Sequence, residues 1–314
     1  MTFYTLQFLR FLAAMLVLLF HLTIIDSGYK GVDIFFAISG FVMYYTLFVR
    51  KRPDAVHFIV NRITKIFFLY WIALLFMILV QPVKLSDLNV KSVILFPGHL
   101  SIIGVSWSLS FELYFYFVVG TCAYLIPRKY NIVLFIMLLS ITSIVTAVNQ
   151  YTDVLLGTVV NYGIGPNFWE FLLGILSAYL TVTYHKQIAP NTSQLLAGIS
   201  LILFLVISIR YTDPLMFVVY GLLSFLVILF LTAYEQGIKI NKKLCDLLQV
   251  MGDASYGIYL FGPIITIIIG PKDLLHKVMI IMATVIFSTV FNQAIENKFL
   301  MLVRKKLYAK FPKT

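Results

Sequence analysis

Two ionisable residues interrupt the first apolar stretch of the chain. Arg10 and His21 lie in residues 6–25, separated by ten apolar residues. A charge at mid-bilayer depth costs ~2.5–3.5 kcal/mol on insertion scales, so such residues face a protein interior, find a partner and mark a pathway or a site. An imidazole changes protonation state near neutral pH and can take a proton from a hydroxyl. A guanidinium offers a forked set of donors to a phosphate or carboxylate.

Further candidates follow in the next apolar stretches. Asp33, in Gly31-Val32-Asp33-Ile34-Phe35-Phe36, begins a second helix after a short return turn and so reaches the depth of His21. It is either a partner that holds the imidazole in one tautomer or a carboxylate that favours the helix N-terminus. Arg62 and Lys65 are three residues apart and share one helical face at the expected membrane edge, where with Arg10 they receive a phosphorylated ligand or simply snorkel to the interface. Glu112, in Trp107-Ser108-Leu109-Ser110-Phe111-Glu112, falls ~8 Å inward from Trp107 at 1.5 Å per residue. A carboxylate at that depth is paired or functional. Trp107, Ser110 and Glu170 are the candidates for contact with an acceptor, Glu170 alternatively belonging to a solvated helix start. Asp253 is expected to open a helix near the membrane edge, and Glu296 to play a structural part near Lys298.

These residues need a membrane bundle to position them. Of 314 residues 61% are hydrophobic and only 12% charged, and mean hydropathy is +0.96, far from a soluble domain. Apolar windows long enough to cross a ~30 Å hydrocarbon core fall at residues 6–25, 32–49, 65–81, 105–126, 131–149, 167–184, 194–210, 214–234, 253–270 and 276–298. The expectation is an all-α polytopic bundle of about ten transmembrane helices, with residues 1–314 forming a single integral-membrane domain. Residues 93–103, broken by Pro97-Gly98, are too short to span. The N-terminal stretch lacks a basic region and a small-residue cleavage site, and reads as a retained first helix.

Alternation of the loops assigns seventeen Lys and Arg to one side and six to the other. By the positive-inside rule both termini are cytoplasmic. This distribution accounts for the net charge of +11 without a nucleic-acid partner. Neither Cys122 nor Cys245 has metal-ligand spacing, and no metal is expected. Depth then separates a cytoplasmic group of cations, Arg10, Arg62 and Lys65, from an outer group of His21, Asp33 and Glu112. A transporter or flippase of a lipid-linked or small anionic substrate is the rival reading, and it predicts interrupted helices in matching halves.

Six segments, in this order, resemble the membrane-bound acyltransferase 3 family, whose members O-acylate bacterial surface carbohydrates. They are Leu9-Arg10-Phe11-Leu12-Ala13-Ala14 with His21; Gly31-Val32-Asp33-Ile34-Phe35-Phe36 with Ser39-Gly40-Phe41; residues 62–71; Trp107-Ser108-Leu109-Ser110-Phe111-Glu112 with Phe115-Tyr116; Gly252-Asp253-Ala254-Ser255-Tyr256 with Tyr259-Leu260; and Glu296. The resemblance spans nearly the whole chain. It implies an acyl-CoA donor, usually acetyl-CoA, entering from the cytoplasm, and a hydroxyl acceptor on a surface polysaccharide or lipid-linked glycan beyond the bacterial inner membrane. It further implies His21 as the catalytic histidine, Arg10 as its partner and Arg62 with nearby cations as CoA ligands. Glu112 would support the acceptor or His21. The chain departs from the family at Gly262, where members often carry a histidine, and an appended esterase-like domain is not expected.

Overall fold

The computed structural model describes residues 3–50, 55–96, 102–125, 130, 133–138, 140–141, 166–184, 187–210 and 217–310. No strand occurs among the described residues. The long helices are α1 (Tyr4–His21), α2 (Gly31–Tyr44), α3 (Ala55–Val80), α4 (Trp107–Leu125), α5 (Pro166–Tyr184), α6 (Pro190–Arg210), α7 (Phe217–Gly237), α8 (Lys242–Ile269), α9 (Leu274–Phe291) and α10 (Asn297–Lys310). Wider π turns extend α2 through Tyr45–Val49 and join α9 to α10 through Asn292–Glu296. Among the described residues eight helices are long and apolar enough to cross a membrane. α5 is not one of the eight, because Asn167, Trp169, Glu170, Tyr179 and Tyr184 lower its hydropathy. Phe171, Leu172, Ile175, Ser177 and Ala178 are buried in the bundle. The window at residues 131–149, Pro97-Gly98, Asn161, His99 and His185 lie largely or wholly outside the described residues.

Two boundaries differ from the hydropathy windows, and both differences reach the site. α3 begins at Ala55, ten residues before the expected span, so Arg62 and Lys65 stand within a helix rather than at its edge. α8 begins at Lys242, where the Asn241 side chain accepts from the Lys243 amide (3.0 Å), so Asp253 is mid-helix and not a helix start. The reason is common to both. A hydropathy window ends at a charge, whereas a helix continues through a charge that faces a protein interior.

Helix α1 packs along α8, and α2 along α5. Gln7 lies against Gly252, and Leu18 against Gly262, so α1 and α8 run parallel. At the α2/α5 crossing the fit is reciprocal: a Cβ on Gly40 would lie 1.9 Å from the Phe171 carbonyl oxygen, and one on Gly174 1.9 Å from that of Ala37. Small residues let helix backbones approach within a membrane bundle. Gly174→Ala is therefore expected to push α2 and α5 apart and cost ~1–3 kcal/mol or more, read as a lower unfolding temperature in detergent.

The start of α1 is held from α7. Glu235 accepts from the backbone N–H of Tyr4 (2.8 Å) and Thr5 (2.9 Å) and from Thr5 Oγ1 (2.6 Å). A carboxylate from another helix thus satisfies donors that α1 cannot satisfy itself. Glu235→Ala is expected to destabilise the protein by ~1.5–3 kcal/mol, the range for a hydrogen bond to a charged group, and to raise amide exchange at residues 4–7.

At the other end of the bundle Asp273 caps α9, accepting from the His276 amide (2.9 Å) and His276 Nδ1 (2.7 Å). These bonds, the backbone one first, hold the Asp273 carboxyl below the usual carboxylate range. A depressed folded-state value means that the cap is present above the unfolded Asp value of ~3.9 and is lost as pH falls through the lower folded value. Amide protection at residues 274–277 should consequently drop only in acid, and Asp273→Ala should remove it at neutral pH.

Candidate active site

A cavity with about 810 Å³ of empty space, open solvent included, lies in the middle of the bundle, between α1, α2, α3, α4 and α8. Arg10, Arg62 and Lys65 line it, together with the carboxylates Glu112 and Asp253. Helical spacing makes this possible. Arg62, Lys65 and Ile66 share one face of α3; Ser108, Glu112 and Tyr116 recur every four residues on α4; Gly252, Asp253, Ser255, Tyr256 and Tyr259 form one face of α8. Polar residues at i, i+3 and i+4 inside apolar helices therefore turn toward one another rather than toward lipid.

The cations are held in place without being neutralised by direct contact. Among the described residues Arg10, Arg62 and Lys65 make no hydrogen bond and no ion pair within 4.0 Å; Arg62 instead lies over the Tyr116 ring, 4.8 Å from its centroid, and 5.6 Å from that of Phe58. Like charges gathered this way repel, and the attractions opposing this come from Glu112, Asp253 and Glu296. Glu296 is itself buried in the π turn and accepts from Asn292 Nδ2 (2.9 Å), so its expected structural part is joined by an electrostatic pull on Lys65 rather than on Lys298. The arrangement leaves donor groups facing an open space, which is the chemistry of an anion site.

Glu112 is fixed by one oxygen. Ser39 Oγ donates to Glu112 Oε1 (3.1 Å), and Tyr116 OH donates to the same atom in a short bond. Tyr256 OH donates to the Ile66 carbonyl (2.9 Å), tying α8 to α3. Toward the His21 end the cavity stops at a polar corner, where Ser108 Oγ and Tyr259 OH lie 2.7 Å apart and both reach the Val105 carbonyl.

The outer group expected from the sequence is not assembled in this structure. Glu112 lines the cationic cavity instead of meeting His21, because the face of α4 that carries it turns toward Arg10 and Arg62. His21 ends α1, half-buried, with its ring 5.4 Å from that of Phe20. From the parallel register of α1 and α8 it stands level with Ile265, six residues and so ~9 Å beyond Tyr259. Among the described residues no carboxylate hydrogen-bonds to it.

Asp33 is also separate from His21. It is buried on α2 and interacts electrostatically with Glu170 of α5 and with Lys30. Glu170 is 2% exposed, so it belongs to the interior and not to a solvated helix start. Lys30 Nζ sits 4.3 Å from the Tyr220 ring centroid. Trp107, partly exposed, packs edge-on to Phe36 and Phe111, while Ser110 is buried; neither lines the cavity, which takes Ser108 and Leu109 from that turn. Gly262 faces Leu18, one turn before His21 on α1.

Ser39, Ser108, Tyr116, Tyr256 and Tyr259 are the cavity residues that the reading of single charges missed. On α4 the signal was the polar repeat Ser108, Glu112, Tyr116 every four residues, and on α8 the pair Tyr256 and Tyr259 three apart; Ser39 on α2 has no such repeat.

Fold and cavity together define a multi-pass helical membrane protein with a polar cavity inside its bundle. The chain belongs to the membrane-bound acyltransferase 3 family, whose acyltransferase-domain model matches residues 3–295. It is thus a membrane acyltransferase. No curated protein and no solved structure matches it.

Proposed function

We propose that this acyltransferase takes an acyl group, acetyl in the simplest case, from cytoplasmic acyl-CoA and delivers it to a hydroxyl of a surface polysaccharide or lipid-linked glycan on the far side of the bacterial cytoplasmic membrane. The observation that carries this reading is the set of three cations, unpaired among the described residues, facing one chamber from α1 and α3. A diphosphate satisfies such a set, and a neutral sugar does not. In this reading the Tyr4 end of α1 is cytoplasmic, so the donor reaches Arg10, Arg62 and Lys65 first and its thioester extends toward the His21 end.

The acceptor approaches from the His21 end. His21 acts as general base: it takes the proton of the acceptor hydroxyl as that oxygen attacks the thioester carbonyl, the C–S bond breaks, and the CoA thiolate leaves and is protonated. Asp33, Trp107, Ser110 and Glu170 lie on the acceptor side in this scheme, with Asp33 and Glu170 acting as a buried carboxyl pair rather than as direct partners of His21. Because the Tyr259–Ser108 corner stands between the chamber and the level of His21, the reaction requires that corner to open. Purified protein with labelled acetyl-CoA and surface glycan is expected to yield O-acetylated saccharide. Hydrolysis of acetyl-CoA with no labelled glycan, across a panel of glycan acceptors, would contradict the reading.

A further inference from the structure

At the His21 end the lining of the cavity changes from charges to hydroxyls. Ser108 of α4 and Tyr259 of α8 both line it there, and both are buried, 7% and 4% exposed. Tyr259 OH donates to the Val105 carbonyl (2.7 Å), Ser108 Oγ donates to the same oxygen (3.2 Å), and the two hydroxyl oxygens are 2.7 Å apart. Two protons carried by two helices thus converge on one backbone oxygen. The Tyr259 ring is held edge-on by Phe35 of α2, with 5.6 Å between centroids. Val105 belongs to a single tight turn, Gly104–Ser106, directly before α4. A Cβ on the neighbouring Gly104 would meet no described atom within 4 Å, so this turn has space in which to withdraw its carbonyl.

We propose that Tyr259 and Ser108 are the oxyanion donors of the transfer step, and that the Val105 carbonyl occupies their donor positions until the thioester oxygen replaces it. The inference rests on the acyl-CoA reading above and deepens it. Donors that stabilise a developing oxyanion must already be aimed at an oxygen, at roughly 2.7–3.1 Å, in a site that excludes water. The two hydroxyls meet those terms, with a backbone carbonyl standing where the thioester carbonyl would stand. As the acceptor oxygen attacks the carbonyl carbon, the electron pair of the C=O double bond moves onto the thioester oxygen, and it returns as the C–S bond breaks. Tyr259 and Ser108 donate to that oxygen throughout and keep their protons. A hydrogen bond to an anion is stronger than one to a neutral carbonyl, so the exchange favours the transition state over the bound donor. The position of His21 agrees. It stands ~9 Å beyond the level of Tyr259, an interval covered by three successive contacts of about 3 Å each: hydroxyl to thioester oxygen, carbonyl carbon to acceptor oxygen, and acceptor oxygen to imidazole.

The consequence is a loss of rate without a loss of donor binding. Transfer of label from acetyl-CoA to surface glycan and calorimetric titration of acetyl-CoA are measured on the full-length protein and on Tyr259→Phe, which deletes one oxygen. Transfer at saturating donor should fall by about 10²–10³-fold, the contribution of one oxyanion donor, while donor affinity stays within about threefold. Ser108→Ala should show the same split, and Ser108→Thr, which keeps a hydroxyl, should recover part of the loss; a folding defect would weaken donor binding as well. A corner that only bars the way predicts the opposite sign, because cutting its bonds would ease passage. Transfer by Tyr259→Phe and Ser108→Ala at the intact rate or faster would therefore overturn the assignment while leaving the acyl-CoA reading standing. So would a tenfold or greater loss of donor affinity in both variants. Failure of the intact protein to bind acetyl-CoA would overturn both.

Discussion

Alanine in place of His21 is expected to lower acyl transfer to the acceptor by about 10²–10⁴-fold, the contribution of a positioned general base, with acetyl-CoA binding unchanged within about twofold. The split follows from position. His21 stands ~9 Å beyond the level of Tyr259 along the α1/α8 pair and is not among the residues lining the cationic chamber, so its removal leaves the donor's contacts intact. His21 also lies at the last residue of α1 and is only half-buried, so alanine leaves the packing of Leu9, Ala13, Ala14 and Leu18 undisturbed. Steady-state transfer, paired with calorimetric titration of acetyl-CoA, reads both halves of this prediction. A variant that binds donor tenfold more weakly would move His21 to the donor side. Transfer retained at the normal rate would remove it from the chemistry.

The second large effect concerns Arg10, and it falls on donor binding. Arg10→Ala is expected to weaken acetyl-CoA binding by roughly 10- to 100-fold, since a hydrogen bond to a charged group contributes ~1.5–3 kcal/mol and each 1.4 kcal/mol is a factor of ten. Arg10 lines the cavity and makes no hydrogen bond among the described residues, so its guanidinium has its full set of donors for a ligand. The empty protein should respond differently from the loaded one. Removing Arg10 takes a buried charge out of the interior and relieves its repulsion with Arg62 and Lys65, against the loss of its attraction to Glu112 and Asp253, so Arg10→Ala is expected to unfold near the temperature of the intact protein without donor, yet to lose the stabilisation that donor provides. Arg10→Lys keeps the charge but not the fork and should fall between the two. If Arg10→Ala bound donor normally, the diphosphate would have to lie elsewhere.

The sequence marked the principal charges because charge is conspicuous in an apolar run. Arg10 and His21 could be singled out from types and spacing alone, as could the face shared by Arg62 and Lys65. What those residues meet was not legible. Hydropathy windows stopped at Lys65 and at Asp253, while α3 and α8 continue past both, so two interior groups were read as edge groups. Glu112 was given the depth of His21, but the rotation of α4 decides its partners, and each residue of slippage turns a side chain by about 100°. Ser39 and Tyr116 fix its Oε1, a fact that depends on the α2/α4 approach and leaves no trace in either segment alone. Asp33 and Glu170 show the same limit. They are 137 positions apart in the chain, and only the close crossing at Gly40 and Gly174 brings α2 and α5 together. The bundle itself was readable because lipid imposes length and composition on each span, whereas the chamber arises from contacts between spans.

Sidedness of transfer is the most direct test of donor passage through the bundle. Membrane vesicles of both orientations, carrying this protein and surface glycan, are given labelled acetyl-CoA from outside. Inverted vesicles, which present the cytoplasmic face, should transfer label to saccharide hydroxyls, and right-side-out vesicles should not; His21→Ala should abolish the label in the inverted vesicles. Equal labelling from either face, or labelling only in right-side-out vesicles, would contradict a cytoplasmic donor passing its acyl group across the membrane.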